Sequence, residues 1–247
     1  MSLQNPSMIL TGASGGIGRA IAEEYARNGW NLFLQGFRHI DMLTQFCEEL
    51  SSRCGVRAAA IRSDLADPKS VRRMFETILN EDPSPDVLIN CAGIAWFGLL
   101  QDMTDAEYER VMETNFGSVF RCCRAVLPSM LRRHSGCILN ISSMWGSAGS
   151  STEAVYSASK GAVDAFTRAL GKELAPSGIR VNAIACGVID TPMNDVLTSE
   201  DKAALADEIP LGRFGRPEEI AKTAYFLTGP DSSYITGQVI RADGAFL

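Results

Sequence analysis

Tyr156 and Lys160 are the residues of this 247-residue chain whose types and spacing point most directly to chemistry. They lie four positions apart in a segment that predicts a helix, so their side chains share one face. A tyrosine in water has a pKa of about 10, and a nearby ammonium should lower that value. Ser143, thirteen residues before Tyr156, offers a hydroxyl that could hydrogen-bond a substrate oxygen. Together these groups could protonate a carbonyl oxygen as hydride reaches its carbon.

The spacing of Tyr156 and Lys160 is not decisive alone. A Tyr-x-x-x-Lys pair is common on surface helices, and Ser142 stands beside Ser143 as an alternative hydroxyl. A second signal is the turn TGASGGIG at 11–18, which follows a short apolar segment. Amides at the start of the next helix can bind a pyrophosphate, and glycines let it approach closely. A glycine cluster also occurs in turns that bind nothing, so the combination of these signals carries the interpretation.

The elements that must position these residues follow from hydrophobic patterning. Short apolar segments alternate with longer amphipathic ones, which predicts strands alternating with helices. The predicted strands are 7–11, 31–35, 57–61, 87–90, 137–141, 180–185 and 238–240. The predicted helices are 16–28, 40–52, 69–80, 105–133, 155–175 and 217–227. This order predicts an α/β fold, a doubly wound parallel (Rossmann) sheet of about seven strands with helices on both faces, in one domain spanning 1–247.

Two segments need comment. The long helix 105–133 has Thr104 or Asp105 as its N-cap, and Pro128 predicts a kink or break near its end. The segment 191–213 is the least strand-like region, and both a mobile substrate lid and a plain surface loop fit it.

Composition excludes several function classes. The net charge of -6 and pI near 5.1 argue against nucleic-acid binding. The odd count of seven cysteines, without a CxxC pair, and only two histidines argue against a metal site and favour reduced thiols in the cytoplasm. No run of 18 apolar residues is present, so we expect no membrane span.

Several motifs follow one another in an order that resembles the short-chain dehydrogenase/reductase family. They are TGASGGIG with its Gly-x-x-x-Gly-x-Gly spacing, Asp64-Leu65, Asn90-Cys91-Ala92-Gly93, Asn115, Ser143, Tyr156, Lys160 and the segment 187–191. The resemblance runs from about Met8 to the C-terminus. It implies an NAD(P)-dependent oxidoreductase acting on CH-OH groups.

The resemblance also implies a role for each site residue. Tyr156 is the proton donor, Lys160 also holds the nicotinamide ribose, Ser143 polarises the carbonyl and Asn115 supports a water relay to Lys160. The family spacing favours Ser143 over Ser142. Cofactor contacts are implied for Gly12, Ser14, Gly16, Ile17, Gly18, Arg38, Asp64, Leu65, Asn90, Ala92, Gly93, Tyr156, Lys160, Gly187, Ile189 and Thr191.

Two positions depart from the family pattern. Cys91 stands where the family usually has a second asparagine, and Cys186 stands where it usually has proline. Losing the fixed φ of proline predicts a looser loop beside the cofactor.

The nicotinamide is predicted to be NADP, with NAD left open. An acidic residue at the end of the second strand would bind the ribose 2′-hydroxyl and repel a 2′-phosphate. The matching position is Gly36, and Arg38 follows as a possible phosphate ligand. Arg38 as a solvated residue at a helix start is the alternative. The glycine turn lacks the basic residue found in many members that prefer NADP.

The substrate is predicted from finer resemblances. TGASGGIGRAIAE, LAPSGIRVNAIA and YITGQ resemble bacterial 3-oxoacyl-[acyl-carrier-protein] reductases. Arg132 and Arg133 would then help to dock an acidic carrier protein, although Ser177 replaces a second basic position of those enzymes.

An alternative substrate comes from Trp145 and Glu153. Trp-Gly after the serine, with Glu three residues before the tyrosine, resembles a Firmicute-type subgroup that reduces the 5-aminopentanone modification on elongation factor P. Glu153 would attract a cationic amine, or it would simply cap the helix N-terminus.

A second alternative belongs to another class of protein. It is a non-catalytic NADP-sensing regulator on the same fold. The presence of Ser143, Tyr156 and Lys160 together disfavours it. Family members commonly assemble through the helices 105–133 and 155–175 and through C-terminal segments, so we expect a homotetramer.

Overall fold

Seven parallel strands form one sheet in the computed structural model, which describes residues 5–195 and 197–247. The strand order is β3-β2-β1-β4-β5-β6-β7, and every neighbouring pair is parallel. The strands are β1 (Ser7–Thr11), β2 (Asn31–Gly36), β3 (Ala58–Arg62), β4 (Val87–Asn90), β5 (Gly136–Ser143), β6 (Ile179–Cys186) and β7 (Val239–Ala242). The predicted α/β fold is therefore confirmed, with strand ends shifted by one or two residues.

Helices cover both faces of this sheet. They are α1 (Gly16–Arg27), α2 (Ile40–Cys54), α3 (Pro68–Glu81), α4 (Asp105–Met112), α5 (Ser118–Arg133), α6 (Trp145–Ala148), α7 (Ala154–Leu174), α8 (Ser199–Glu208) and α9 (Pro217–Thr228). Helices α1, α2 and α9 pack on one core, and α3, α5 and α7 pack on the other. Along β1, Met8 and Leu10 enter the first core while Ile9 enters the second, because successive strand side chains alternate.

The predicted helix 105–133 is interrupted, but not at Pro128. Thr104 caps α4 in a capping box with Glu107, as one of the two predicted caps. A π-helical turn at Glu113–Gly117 then separates α4 from α5, and α5 continues through Pro128 to Arg133. The predicted break at the proline is wrong.

The segment 191–213 contains a helix that the sequence pattern did not predict. Helix α8 begins at a capping box between Thr198 and Asp201 and has no buried residue. A helix without a buried face lacks the apolar periodicity from which helices are predicted. Val196, within this segment, lies outside the described residues.

Among the described residues, no helix is long and apolar enough to cross a membrane. Nor do three or more His, Cys, Asp or Glu side chains within 5–195 and 197–247 group in a way that could hold a metal ion.

Candidate active site

The predicted catalytic residues meet at the carboxyl edge of the sheet. Because β5 and its neighbours are parallel, the ends of β1, β4, β5 and β6 lie side by side. Ser143 is the last residue of β5, and α7 returns over this edge with Tyr156 in its first turn. This is the edge where open α/β sheets bind ligands.

The hydroxyl of Ser143 lies close enough to the phenol of Tyr156 to lower its pKa. The hydroxyl of Ser143 also accepts a hydrogen bond from the amide of Trp145 at 3.2 Å. Ser142 points elsewhere, since its hydroxyl donates to Asp164 Oδ1 at 2.5 Å. The structure therefore brings Ser143, not its neighbour, to the tyrosine.

The pKa of Tyr156 moves opposite to the direction predicted from sequence. Burial raises the pKa of this phenol above its ordinary value, the hydrogen bond with Ser143 lowers it, and the carboxylate of Glu153 raises it. The prediction of a lowered pKa is wrong for the structure, because removal of the phenol from water is the largest effect and Ser143 offsets it only in part.

Lys160 is itself a buried cation. Its Nζ donates to the main-chain oxygen of Ile141 at 2.9 Å and lies 5.7 Å from the centre of the Tyr156 ring. Burial lowers the pKa of Lys160, while Cys91, Cys186 and Asp164 raise it. An ammonium held in this way is near the phenol and fixed in position.

Asn115 lies in the π-helical turn and is completely buried. Its Oδ1 accepts from the amide of Ile94 at 2.8 Å, and its Nδ2 donates to Ile94 O at 2.9 Å and to Ser159 Oγ at 3.0 Å. A Cβ placed on Gly93 would lie 3.5 Å from Asn115 Oδ1 and 3.3 Å from Lys160 Nζ. The turn thus brings Asn115 next to Lys160, as the resemblance implies, and π-bulges often mark functional sites.

The glycine turn forms a cradle between β1 and α1. Gly12 has a φ of 68°, and a Cβ there would lie 2.7 Å from Ala92 Cα. A Cβ on Gly16 would lie 2.8 Å from Thr191 Cγ2, so the turn contacts the loops after β4 and β6. Gly15 caps α1 without a side-chain hydrogen bond, and the first turn of α1 carries no acidic residue. These amides fit the pyrophosphate of a dinucleotide, which the motif implies.

A cation that was not predicted from the sequence, Arg62 of β3, lies beside the end of β2. Strand register pairs Gly36 with Arg62, the last residue of β3, and the guanidinium of Arg62 lies 5.9 Å from the Phe37 ring centre. Arg38 and Arg62 are both exposed. Within 5–195 and 197–247, neither forms an ion pair. Only the pairing of two strands could have revealed Arg62.

Some predicted cofactor residues have side chains that face away from this cleft. Asn90 is buried and donates to Asn140 Oδ1 at 2.9 Å, so only its main chain borders the cleft. Leu65 and Ile189 are buried in the core. A Cβ on Gly187 would lie 2.6 Å from Asp243 Cα, which gives this glycine a packing role.

Other predicted contacts lie at the cleft. Ser14 is exposed, and Ile17 is half-buried against the core. Asp64 Oδ1 accepts from the amide of Ala66 at 3.0 Å, and this hydrogen bond shapes the loop after β3.

The two cysteines that depart from the family pattern lie beside Lys160. Cys186 ends β6, in register with Ser143 and Ala242, and the loop predicted to be looser begins at the next residue. Burial raises the pKa of Cys186 to about 12, as it does for Cys91. Both thiols are neutral beside Lys160 at ordinary pH.

Trp145 and Glu153 border the catalytic residues. The ring of Trp145 packs edge-to-face against Phe246 with centroids 6.0 Å apart. Glu153 is the N-cap residue of α7, as the capping interpretation predicts, but its side chain makes no capping hydrogen bond. Its side chain is buried, and burial raises its pKa while a hydrogen bond with Ser150 lowers it.

The two arginines proposed for carrier docking lie at the opposite edge of the sheet. They end α5, and β5 begins at Gly136, seven residues before Ser143, a span of roughly 23 Å. Arg133 donates to Asp86 Oδ1 at 3.0 Å and to Pro85 O at 2.6 Å. Arg132 is exposed.

The chain matches a protein-family model and is similar in sequence to known proteins. A family model described as "Enoyl-(Acyl carrier protein) reductase" matches residues 12–246. The chain is 40% identical over 242 residues to the "Uncharacterized oxidoreductase YmfI" of Bacillus subtilis, covering 98% of this chain and 99% of the relative. It is 40% identical over 238 residues to the "3-oxoacyl-[acyl-carrier-protein] reductase FabG" of Staphylococcus aureus, covering 96% of each.

A solved structure has the same fold as this chain. The protein titled "Crystal structure of gox2181" superposes with a TM-score of 0.92 at 30% identity, covering 99% of this chain and 96% of that one.

Proposed function

The chain belongs to the short-chain dehydrogenase/reductase family of oxidoreductases, and we propose that it reduces a ketone with NADPH, using Tyr156 as the proton donor. The observation that carries this proposal is the contact of Ser143 with Tyr156 beside the buried ammonium of Lys160. We also propose that residues 1–247 act as one domain, since a single sheet gathers every site residue at one edge.

In the proposed mechanism, residues of the chain bind the substrate oxygen, donate the proton and stabilise the charge that develops. The nicotinamide, when bound, supplies the hydride. Ser143 holds the carbonyl oxygen by a hydrogen bond, and Tyr156 donates its proton as negative charge develops on that oxygen. The raised pKa of Tyr156 keeps the phenol protonated, as a donor requires. Lys160 stabilises the phenolate that remains, and Asn115 orders the path by which the proton is replaced.

NADP is the proposed cofactor, because cations lie beside the end of β2, where an acidic residue would select NAD. Gly36 leaves no carboxylate to repel a 2′-phosphate, and Arg38 follows it. Arg62, in register with Gly36, adds a second exposed guanidinium. Two guanidinium groups match the geometry of a phosphate.

A 3-oxoacyl thioester is the proposed substrate, with an acyl carrier protein as the partner. The support is the 40% identity with the FabG of Staphylococcus aureus over nearly the whole chain. Arg132 and Arg133 do not strengthen the carrier interaction within one subunit, because they lie at the other edge of the sheet.

A ketone that carries an amine, as on elongation factor P, is the second candidate. Glu153 favours it, because a buried carboxylate beside the catalytic residues is suited to hold a cation. A neutral acyl chain would bring no cation to this carboxylate.

One experiment separates these candidates. NADPH and NADH oxidation is measured with acetoacetyl thioesters and with aminopentanone-modified elongation factor P, for the natural chain and for Glu153→Gln. Thioester turnover that Glu153→Gln leaves intact supports the first candidate. Turnover of the amine substrate that Glu153→Gln abolishes supports the second. Tight NADPH binding with no turnover of any ketone would overturn both and favour a regulator.

We propose a homotetramer in the cytoplasm that binds neither nucleic acid nor membranes. The net charge of -6 and seven free thiols support this setting.

A further inference from the structure

The carboxyl end of β5 is joined to α7 by hydrogen bonds at consecutive residues. The main-chain oxygen of Ile141 accepts a hydrogen bond from Lys160 Nζ at 2.9 Å, and the hydroxyl of Ser143 lies near the phenol of Tyr156, whose pKa it lowers. Ser142 stands between these two residues and is also bonded to α7. The side chain that Ser142 contacts on α7 is not one of the catalytic groups.

The partner of Ser142 is Asp164, one helical turn beyond Lys160. The hydroxyl of Ser142 donates to Asp164 Oδ1 at 2.5 Å and lies 3.4 Å from the main-chain oxygen of Lys160. Both side chains are buried, Asp164 with 2% of its surface exposed. Burying a carboxylate costs free energy unless its oxygens are bonded, so an apolar residue here would pack at lower cost. Because burying the carboxylate of Asp164 is costly, we expect its bond with Ser142 to have a role beyond packing.

Gly146 allows the strand end and the helix to approach closely. A Cβ on Gly146 would lie 2.9 Å from the carbonyl carbon of Lys160 and 3.0 Å from Asp164 Oδ2. The second oxygen of Asp164 therefore lies directly under the segment that follows Ser143. A shift of Asp164 would move this segment.

The charged and titratable groups around Asp164 are few. On α7 they are Arg168 and Lys160, whose positive charges favour the carboxylate against burial. From neighbouring elements, Cys91 after β4 and Cys186 at the end of β6 face Lys160.

We propose that Asp164 is a positioning residue for carbonyl reduction, which acts through Ser142 to fix the end of β5 that holds both Lys160 and Tyr156. The inference rests on the proposed function. Three contacts from three consecutive strand residues set the height and rotation of α7 over the sheet. The middle contact does this without touching the reacting groups. A misplacement of about 1 Å at a catalytic group can cost about a hundredfold in rate.

The first test replaces Asp164. Asp164→Ala removes the acceptor, and we expect kcat to fall about tenfold to a hundredfold while KM and the NADPH Kd stay within about twofold. Asp164→Asn keeps an acceptor oxygen for Ser142, and we expect it to restore kcat to within about threefold of the natural chain.

The matched control is Thr167→Val. Asn140 Nδ2 donates to Thr167 Oγ1 at 2.8 Å, which is another buried bond between β5 and α7, one turn farther from the site. This control should lower thermal stability and leave kcat unchanged. If Asp164→Ala fails to fold, Ser142→Ala removes the same hydrogen bond with less disturbance, and we expect a kcat loss of at least about fivefold.

A pH profile distinguishes positioning from general stability. Asp164 raises the pKa of Lys160, so Asp164→Asn should move the alkaline limb of kcat to lower pH, while Thr167→Val should not move it. Unchanged kcat in Asp164→Ala and Ser142→Ala, together with an unchanged alkaline limb in Asp164→Asn, would overturn the inference. A Tyr156→Phe variant that stays active would instead overturn the proposed function, so the two failures are distinguishable.

Discussion

At the scale of single residues, burial decides the ionisation behaviour of this site. Tyr156 and Lys160 lie within reach of each other, yet burial raises the pKa of the phenol and lowers that of the ammonium. Both shifts favour the neutral forms. A neutral phenol is the state from which a proton can be donated to a substrate oxygen.

Tyr156→Phe tests the donor directly. Removing the hydroxyl should lower kcat about a thousandfold, since general acid catalysis contributes about 10²–10⁴-fold. The NADPH Kd should stay within about twofold, because the ring remains. Stopped-flow NADPH oxidation and a fluorescence titration measure the two quantities. Tyr108→Phe, at an exposed tyrosine of α4, is the control.

Arg38 and Arg62 test the cofactor preference. Arg38→Ala and Arg62→Ala should each weaken NADPH binding about tenfold or more, because a charge-assisted hydrogen bond contributes about 1.5–3 kcal/mol. NADH binding should not change, as this nucleotide lacks the 2′-phosphate. Calorimetric titration of both nucleotides gives the ratio. Arg72→Ala, at an exposed arginine of α3, should leave both Kd values unchanged. Equal weakening of both nucleotides by Arg62→Ala would remove Arg62 from the phosphate site.

At the scale of elements, the site depends on two local departures from regular structure. The π-helical turn at Glu113–Gly117 brings Asn115 to Ile94 and Ser159. The glycine turn leaves the start of α1 uncapped and in contact with the loops after β4 and β6. Regular helix in either place would bury or displace the groups that face the cleft.

Gly12→Ala tests the glycine turn. The left-handed φ of 68° and the approach of Ala92 Cα to 2.7 Å both oppose a Cβ. Backbone strain and overpacking together should cost about 2–4 kcal/mol of unfolding free energy.

Gly29→Ala is the matched control. Gly29 has a similar φ of 79° but nothing within 4 Å of the added Cβ, so it should lose only about 1 kcal/mol. Urea unfolding measures both variants, and NADPH binding should weaken only in Gly12→Ala. Equal losses would mean that the close approach to Ala92 contributes nothing.

At the scale of the whole molecule, exposed apolar side chains support assembly. Phe120 and Leu131 are exposed on α5, Phe226 is exposed on α9, and Tyr234 is fully exposed. Scattered apolar residues on a surface are ordinary, but large aromatic ones are enriched at interfaces.

Light scattering tests the assembly. We expect a mass about four times the 26.7 kDa of one chain at micromolar concentration. Tyr234→Asp and Phe120→Asp should each reduce that mass, because a desolvated carboxylate destabilises an interface. Asp105→Asn, at an exposed residue of α4, should leave the mass unchanged. A single-chain mass for the natural protein would contradict the prediction.

The sequence by itself determined the features that local patterns encode. Short apolar segments located the seven strands that the described residues form, and in β1 and β4 these segments are buried on both faces of the sheet. The glycine turn and the four-residue spacing of Tyr156 and Lys160 were readable because both depend on neighbours along the chain. Helix α8 was missed because it buries no side chain and so shows no apolar period.

Only the tertiary structure decided what depends on contacts between distant segments. Arg62 meets Gly36 through strand register, and Asp164 meets Ser142 across the packing of a helix on the sheet. The direction of the Tyr156 pKa was also decided there, because it reflects how much water the fold removes. The residue types determine which groups can react, whereas the packing of the fold determines how far these groups are removed from water and how close they lie to one another.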